Sequence, residues 1–108
     1  MASMISEDVA VNAAVEGFLR RQGAQQAFQR MCGLVRYCFS GILEIEVDLR
    51  EDPDEVGRAQ VVLYVKLPDS CPDEQVQAEI KQYHQRLVAE VPLSHRPLFA
   101  MVTEFVPV

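Results

Sequence analysis

The chain has 108 residues, 49% hydrophobic and 24% charged, which is the size and composition of one folded domain spanning 1–108. Its net charge of −6 opposes binding to nucleic-acid phosphates or to an anionic membrane surface. No apolar run exceeds five residues, too short for a membrane span, and the three cysteines lack a disulfide framework, which indicates reduced thiols and a cytoplasmic location.

The N-terminal part, residues 6–39, predicts two helices, over 6–22 and 24–39, because apolar residues recur at helical spacing in both segments. Ser6 is the expected cap of the first helix. The two apolar stripes are centred about 150° apart. Gly23 lies where the phase changes, which favours a break there. The alternative is one continuous helix with different partners on its two sides.

Residues 42–106 predict a β-β-α-β unit, whose first strand covers 43–49. Apolar and acidic residues alternate strictly along this strand, which is typical of a strand with one solvated face. The predicted inward set is Leu43, Ile45, Val47 and Leu49, and the predicted outward set is Glu44, Glu46 and Asp48.

The second strand, 59–67, is apolar on both faces. Val61, Leu63, Val65 and Leu67 form one face, while Val62 and Tyr64 make the other face partly apolar as well. This pattern is typical of a central strand whose second face is covered. Either the N-terminal helices or a second copy of the chain provides that cover.

A third helix is predicted over 73–91, with Ser70 as its cap and Pro92 as its stop. The last strand is predicted over 98–106. Its expected inward residues are Phe99, Met101 and Phe105.

The order α-α-β-β-α-β predicts an α+β fold: a small three-stranded sheet with helices packed mainly on one face, a ferredoxin-like half-sandwich. The hairpin strands should pair antiparallel. The last strand should run parallel to the second, since a helix connects them.

Cys71 and His84 are the candidate reactive or ligand residues. Cys71 precedes a predicted helix N-terminus, where the helix dipole favours a thiolate, but Asp69, Asp73 and Glu74 oppose it. His84 lies thirteen residues further along the helix, about 20 Å away, so the two cannot form a catalytic dyad.

No cofactor or metal motif is present: there is no phosphate-binding glycine loop, no nucleophile elbow and no HExxH. Cys32 and Cys38 lie on one helix without zinc-site spacing. The acidic stretch 44–55 lacks the alternating ligands of a calcium loop. It predicts a solvated surface or a docking site for a basic protein.

These observations favour a small acidic interaction or accessory domain without its own catalysis, associating as a homodimer. The predicted interface is the second face of the sheet, formed by Val62 and Tyr64 together with Ala100 and Val102. The alternative is a small-molecule-binding or enzymatic domain with a pocket between the N-terminal helices and the sheet.

Overall fold

The computed structural model describes residues 9–51, 54 and 59–107, with residues 9 and 10 described by their backbone alone. It confirms the predicted α+β class and element order, with three long strands and three helices. The elements are β1 (Val9–Ala10), α1 (Ala13–Gln22), α2 (Gln25–Cys38), β2 (Glu44–Glu51), β3 (Ala59–Pro68), α3 (Asp73–Glu90), a 3₁₀ turn (Arg96–Leu98) and β4 (Phe99–Val106).

The strands form one sheet in the order β1-β2-β3-β4. As predicted, β2 pairs antiparallel with β3, and β3 pairs parallel with β4. The two-residue strand β1 lies parallel to β2, with Val9 opposite Ile45. Sequence periodicity had assigned this short strand to the first helix.

The break between the first two helices is confirmed at Gly23, which has a φ of 62° and donates its N–H to the carbonyl of Arg20. Only glycine adopts this left-handed conformation without strain. The start of the first helix was predicted wrongly. Its cap is Asn12, whose side chain accepts a 2.9 Å hydrogen bond from the N–H of Val15. Ser6 lies outside the described residues.

The core lies between the sheet and the helices, on one face of the sheet only. The inward residues of β3 are completely buried, and all three helices contribute to the same apolar cluster. The inward residues of β3 are Val61, Leu63, Val65 and Leu67.

Two residues predicted to face inward are exposed: Leu43 by 52% and Phe105 by 48%. Leu43 precedes β2, and its neighbour Ile42 packs against the core instead. Phe105 has the inward register of Leu67, but it lies near the end of the outermost strand. Both predictions failed because strand alternation does not reveal where the helical layer stops.

The predicted cap of the third helix was also wrong. Ser70 belongs to a turn closed by a hydrogen bond from the N–H of Cys71 to the carbonyl of Pro68. Pro72 is the residue before the first helical turn, with an extended ψ of 137° and no side-chain cap. The helix therefore begins at Asp73.

Candidate interaction surface

The four predicted interface residues lie together on the outer face, defined as the sheet face opposite the helices. The strand register sets Val62 opposite Ala100, and Tyr64 opposite Val102. Their placement on one face follows from the parallel pairing of β3 with β4. Whether they form an interface is a separate question, which depends on how exposed each of them is.

Val62 is only 1% exposed, yet it does not belong to the apolar cluster that the helices form. An Arg50 guanidinium donates a 2.9 Å hydrogen bond to the hydroxyl of Tyr64. Arg50 pairs with Gln60, and Tyr64 lies four residues beyond Gln60, so this bond spans Val62. Val62 is therefore bridged by side chains of its own face.

This geometry answers one question that the sequence left open. The helical residues of the core pack on the inward face, so among the described residues no helix covers Val62 and Tyr64. A second subunit is not required to bury Val62 either. The apolar residue of the outer face with the largest exposure is Val102, at 37%, on the neighbouring strand β4.

Acidic side chains line the β2 part of the outer face, as predicted. Glu44, Glu46 and Asp48 are all exposed. Lys66 forms ion pairs with Glu46 and, at 3.4 Å, with Glu44. The hydrogen bond from Lys66 holds the pKa of Glu46 below its usual range, and the same bond raises the pKa of Lys66. One lysine thus partly offsets this row of acids.

The outermost strand, β4, is apolar along nearly its whole length. It pairs with β3 on one side, and no strand of the described residues pairs with its other side. Glu104 is its only charged residue. Val102 on the outer face and Phe105 on the helix side are both exposed. An apolar, unpaired edge strand is a typical site for pairing with another chain.

Two features of this surface were not predicted from the sequence. The first is the Arg50–Tyr64 bridge, which depends on a diagonal across two strands and so on the register of the hairpin. The second is the role of β4 as an edge. Its composition, one charge in eight residues, was the available signal, but strand order was needed to use it.

A groove of about 610 Å³ between α2 and α3 is a further feature that the sequence analysis missed. Glu90 forms ion pairs with Arg30 at 3.3 Å and with Arg86 at 2.8 Å. The Arg86 guanidinium also lies 4.6 Å from the ring centre of Tyr37. The signal was a second stripe on α2, where polar residues recur at helical spacing: Gln26, Gln29, Arg30 and Tyr37.

A second groove, of about 500 Å³, lies between the end of α2 and the start of β2. It lies between an N-terminal helix and the sheet, which is the general region of the pocket in the alternative function. Apolar side chains form most of its wall, with one guanidinium and one carboxylate. The lining residues are Arg36, Phe39, Ile42, Leu43, Glu44 and Ile45.

The two candidate reactive residues line neither groove. Cys71 is half-buried, with its sulfur 3.3 Å from the position that a Cβ would take at Gly41. His84 is exposed, with its ring 5.6 Å from that of Tyr83. Since α3 is continuous from Asp73 to Glu90, the two residues stay about 20 Å apart.

The other two cysteines are buried, as expected from their helical positions. Burial raises the pKa of the Cys32 thiol to about 12, although Arg36 partly opposes this shift. Burial likewise raises the pKa of Cys38 and of the neighbouring Tyr83 hydroxyl. All three groups are therefore neutral at physiological pH, which suits packing in a core.

Among the described residues, no three or more His, Cys, Asp or Glu side chains come together as a metal site. No helix in the described part of the chain is long and apolar enough to cross a membrane. Comparison of the chain with protein-family models, with curated proteins and with solved structures found no match.

Proposed function

We propose that this chain is a small acidic protein-interaction or accessory domain that associates with itself and carries no catalysis of its own. The observation that carries this proposal is the exposed apolar surface of β4, to which Val102 contributes on the outer face and Phe105 on the helix side. Apolar side chains on an unpaired strand usually mark association.

The proposed interface keeps Ala100 and Val102 from the predicted set and gives Val62 and Tyr64 a supporting role. Val62 is already buried within one chain, so it has little surface left to offer a partner. Tyr64 accepts the hydrogen bond from Arg50 and holds the bridge over Val62. The contact surface is thus centred on β4 rather than on β3.

We propose a cytoplasmic location, which fits three free thiols, since reducing compartments keep cysteines unpaired. The net charge of −6 disfavours nucleic acid and an anionic membrane surface as partners, so neither is proposed. A basic protein is a further proposed partner for the acidic row of the outer face, because opposite charge speeds association. That row consists of Glu44, Glu46 and Asp48.

Sedimentation analysis from a few micromolar to several hundred micromolar tests self-association. We expect concentration-dependent dimers for the wild-type protein and a rise of about tenfold or more in the dissociation constant for Val102→Glu. Val88→Glu is the matched control. Val88 is 60% exposed on α3, so the substitution adds the same charge at an exposed valine away from β4.

Two results decide between the outcomes. A wild-type protein that sediments as a monomer over the whole range would refute self-association. Equal weakening by Val102→Glu and Val88→Glu would show that added charge, and not the surface of β4, controls the equilibrium.

The groove between α2 and β2 supports a second candidate function, the binding of a small amphipathic molecule. Its apolar wall, with the polar side chains of Arg36 and Glu44 beside it, suits a ligand with an apolar body and a polar end. A thermal-shift screen of medium-chain carboxylates and amines tests this function. Stabilisation of the wild type that Leu43→Gln abolishes would support it, and no shift for any of these ligands would reject it.

A further inference from the structure

We infer that the domain forms a two-fold dimer in which the β4 strands of two copies pair antiparallel. The two-fold axis passes between the Thr103 residues of the two copies. This inference rests on the proposed function, because it names the partner and the contact through which the domain associates. It is carried by the direction of the backbone groups of β4, by the side chains beside them and by the distribution of charge.

The backbone direction of β4 follows from one hydrogen bond. The N–H of Asp69 donates to the carbonyl of Val106 at 3.0 Å, so Val106 faces β3. Backbone groups of successive strand residues point to opposite sides. The N–H and C=O groups of Met101, Thr103 and Phe105 therefore point away from β3, toward the side where no described strand pairs.

These outward groups are complementary to themselves under a two-fold axis. With the axis at Thr103, each Thr103 faces the Thr103 of the second copy, and Met101 faces Phe105 of the second copy. Each outward N–H then meets a carbonyl, for about six N–H···O hydrogen bonds in all. Phe99 is not needed for the pairing, since its N–H already donates to the carbonyl of Arg96.

The side chains beside this axis are compatible with the same register. On the helix side, the 48% exposed Phe105 gains an apolar neighbour in the half-buried Met101 of the second copy. On the outer face, Ala100 comes opposite Val106 of the second copy. Glu104 comes opposite Val102 rather than opposite its own counterpart, so the only charges of the two strands are not directly paired.

The distribution of charge favours pairing of edges over stacking of outer faces. In the edge dimer, the two acidic β2 strands lie five strand spacings apart, which is about 24 Å and well beyond the Debye length of about 8 Å at physiological salt. Two outer faces stacked on each other would instead lie about 10 Å apart. The acidic side chains of both copies would then approach within screening distance.

Hydrogen exchange measured by NMR tests the backbone pairing directly. In the dimer, the N–H groups of Met101, Thr103 and Phe105 are hydrogen-bonded, and they should exchange slowly at high protein concentration and rapidly after dilution. The N–H groups of Val102 and Glu104 face β3 and should stay protected at both concentrations. Rapid exchange at Met101, Thr103 and Phe105 in a sample that sediments as a dimer would overturn the inference.

Proline substitution tests the same orientation by sedimentation. Thr103→Pro removes an N–H that none of the described strands of the monomer uses, and proline is tolerated at such edge positions. We expect this variant to stay folded by circular dichroism, with a dissociation constant raised about a hundredfold. The matched control, Val102→Pro, removes an N–H directed at β3 and should unfold the domain.

Cross-linking keeps the inference testable if Thr103→Pro fails to fold. Paired residues at the axis have Cα atoms about 5.5 Å apart, which a disulfide can span. In a Cys71→Ser background, Thr103→Cys should therefore form a covalent dimer in a glutathione redox buffer. Val102→Cys should cross-link much more slowly, because it faces Glu104 of the second copy.

The outcomes separate the inference from the proposed function. A folded Thr103→Pro variant that still dimerises like the wild type, or a Thr103→Cys variant that does not cross-link, overturns edge pairing while self-association stands. Faster cross-linking of Val102→Cys overturns the register. A monomeric wild type refutes both the inference and the proposed function.

Discussion

Val62 offers the sharpest test of how the outer face is built, because the same strand carries a matched valine on the opposite face. Val62 is 1% exposed and lies beneath the Arg50–Tyr64 bridge, while Val65 is 0% exposed and lies in the core beneath the helices. Replacing either residue by alanine removes the same two methyl groups. Any difference between the two losses of stability therefore reflects what covers each valine: the Arg50–Tyr64 bridge or the helices.

The expected magnitudes follow from burial and from the rigidity of the surroundings. The transfer term for the lost carbons is about 1.5 kcal/mol at each site. At Val65 the helices and the neighbouring strands cannot close the space, so a cavity adds on the order of 1 kcal/mol. At Val62 the flexible Arg50 side chain can settle into the gap. We therefore expect Val62→Ala to cost about 1.5 kcal/mol and Val65→Ala about 2.5 kcal/mol.

Urea unfolding followed by circular dichroism measures both costs, and sedimentation of the same samples measures association. Val62→Ala should leave the dissociation constant of the dimer unchanged, because Val62 is buried within one chain. Two results would contradict this reasoning: a loss at Val62 as large as that at Val65, or a dimer weakened by Val62→Ala without loss of stability. The second result would restore Val62 as a contact residue.

Three further predictions address the strand register, the thiols and alkaline pH. Ile45→Asp places an unpaired charge in the core and should unfold the domain, whereas Glu46→Gln should leave the melting temperature nearly unchanged; the reverse pattern would mean a register shifted by one residue. At pH 8 a thiol reagent should modify one cysteine per native chain and none in Cys71→Ser; rapid modification of more than one would contradict the burial of Cys32 and Cys38. The Cys32 thiol loses its proton near pH 9.0 in the unfolded chain and near pH 12 in the folded chain, so the free energy of unfolding should fall as the pH rises through this window. The fall should be less steep in Cys32→Ala. Equal slopes of unfolding free energy against pH for the two proteins, measured by urea melts, would contradict the raised pKa.

The sequence predicted those parts of the fold that depend on local periodicity. Alternation predicted the β2–β3 hairpin, and the phase change at Gly23 predicted the break between two helices. The two-residue strand at Val9 was not predicted, because an isolated pair of residues has no period. Asn12 was not recognised as a cap because the apolar spacing continued upstream of it. Both errors arise because periodicity in the sequence does not show where tertiary structure ends a helix.

For the outer face, the sequence predicted the burial of Val62 but not the side chains that cover it. Alternation required that Val62 be covered, and this prediction was correct about burial. It assigned the cover to a second layer, however, since periodicity cannot register a bond such as Arg50–Tyr64 that crosses from one strand to another. Exposure at Val102 and Phe105 likewise depends on β4 being outermost, which only the strand order shows.

The two edges of the sheet differ in how they are protected from pairing with another chain, and this difference relates the sequence to the proposed function. In β2, five of eight residues are charged, and β1 pairs near Ile45 with the edge of β2 that points away from β3. In β4, one of eight residues is charged. Charged side chains on an edge strand discourage pairing with other chains, and a covering strand prevents it. Within the part of the chain that the structure describes, β2 is thus protected by both means and β4 by neither, which supports the proposal that a second copy extends the sheet at β4.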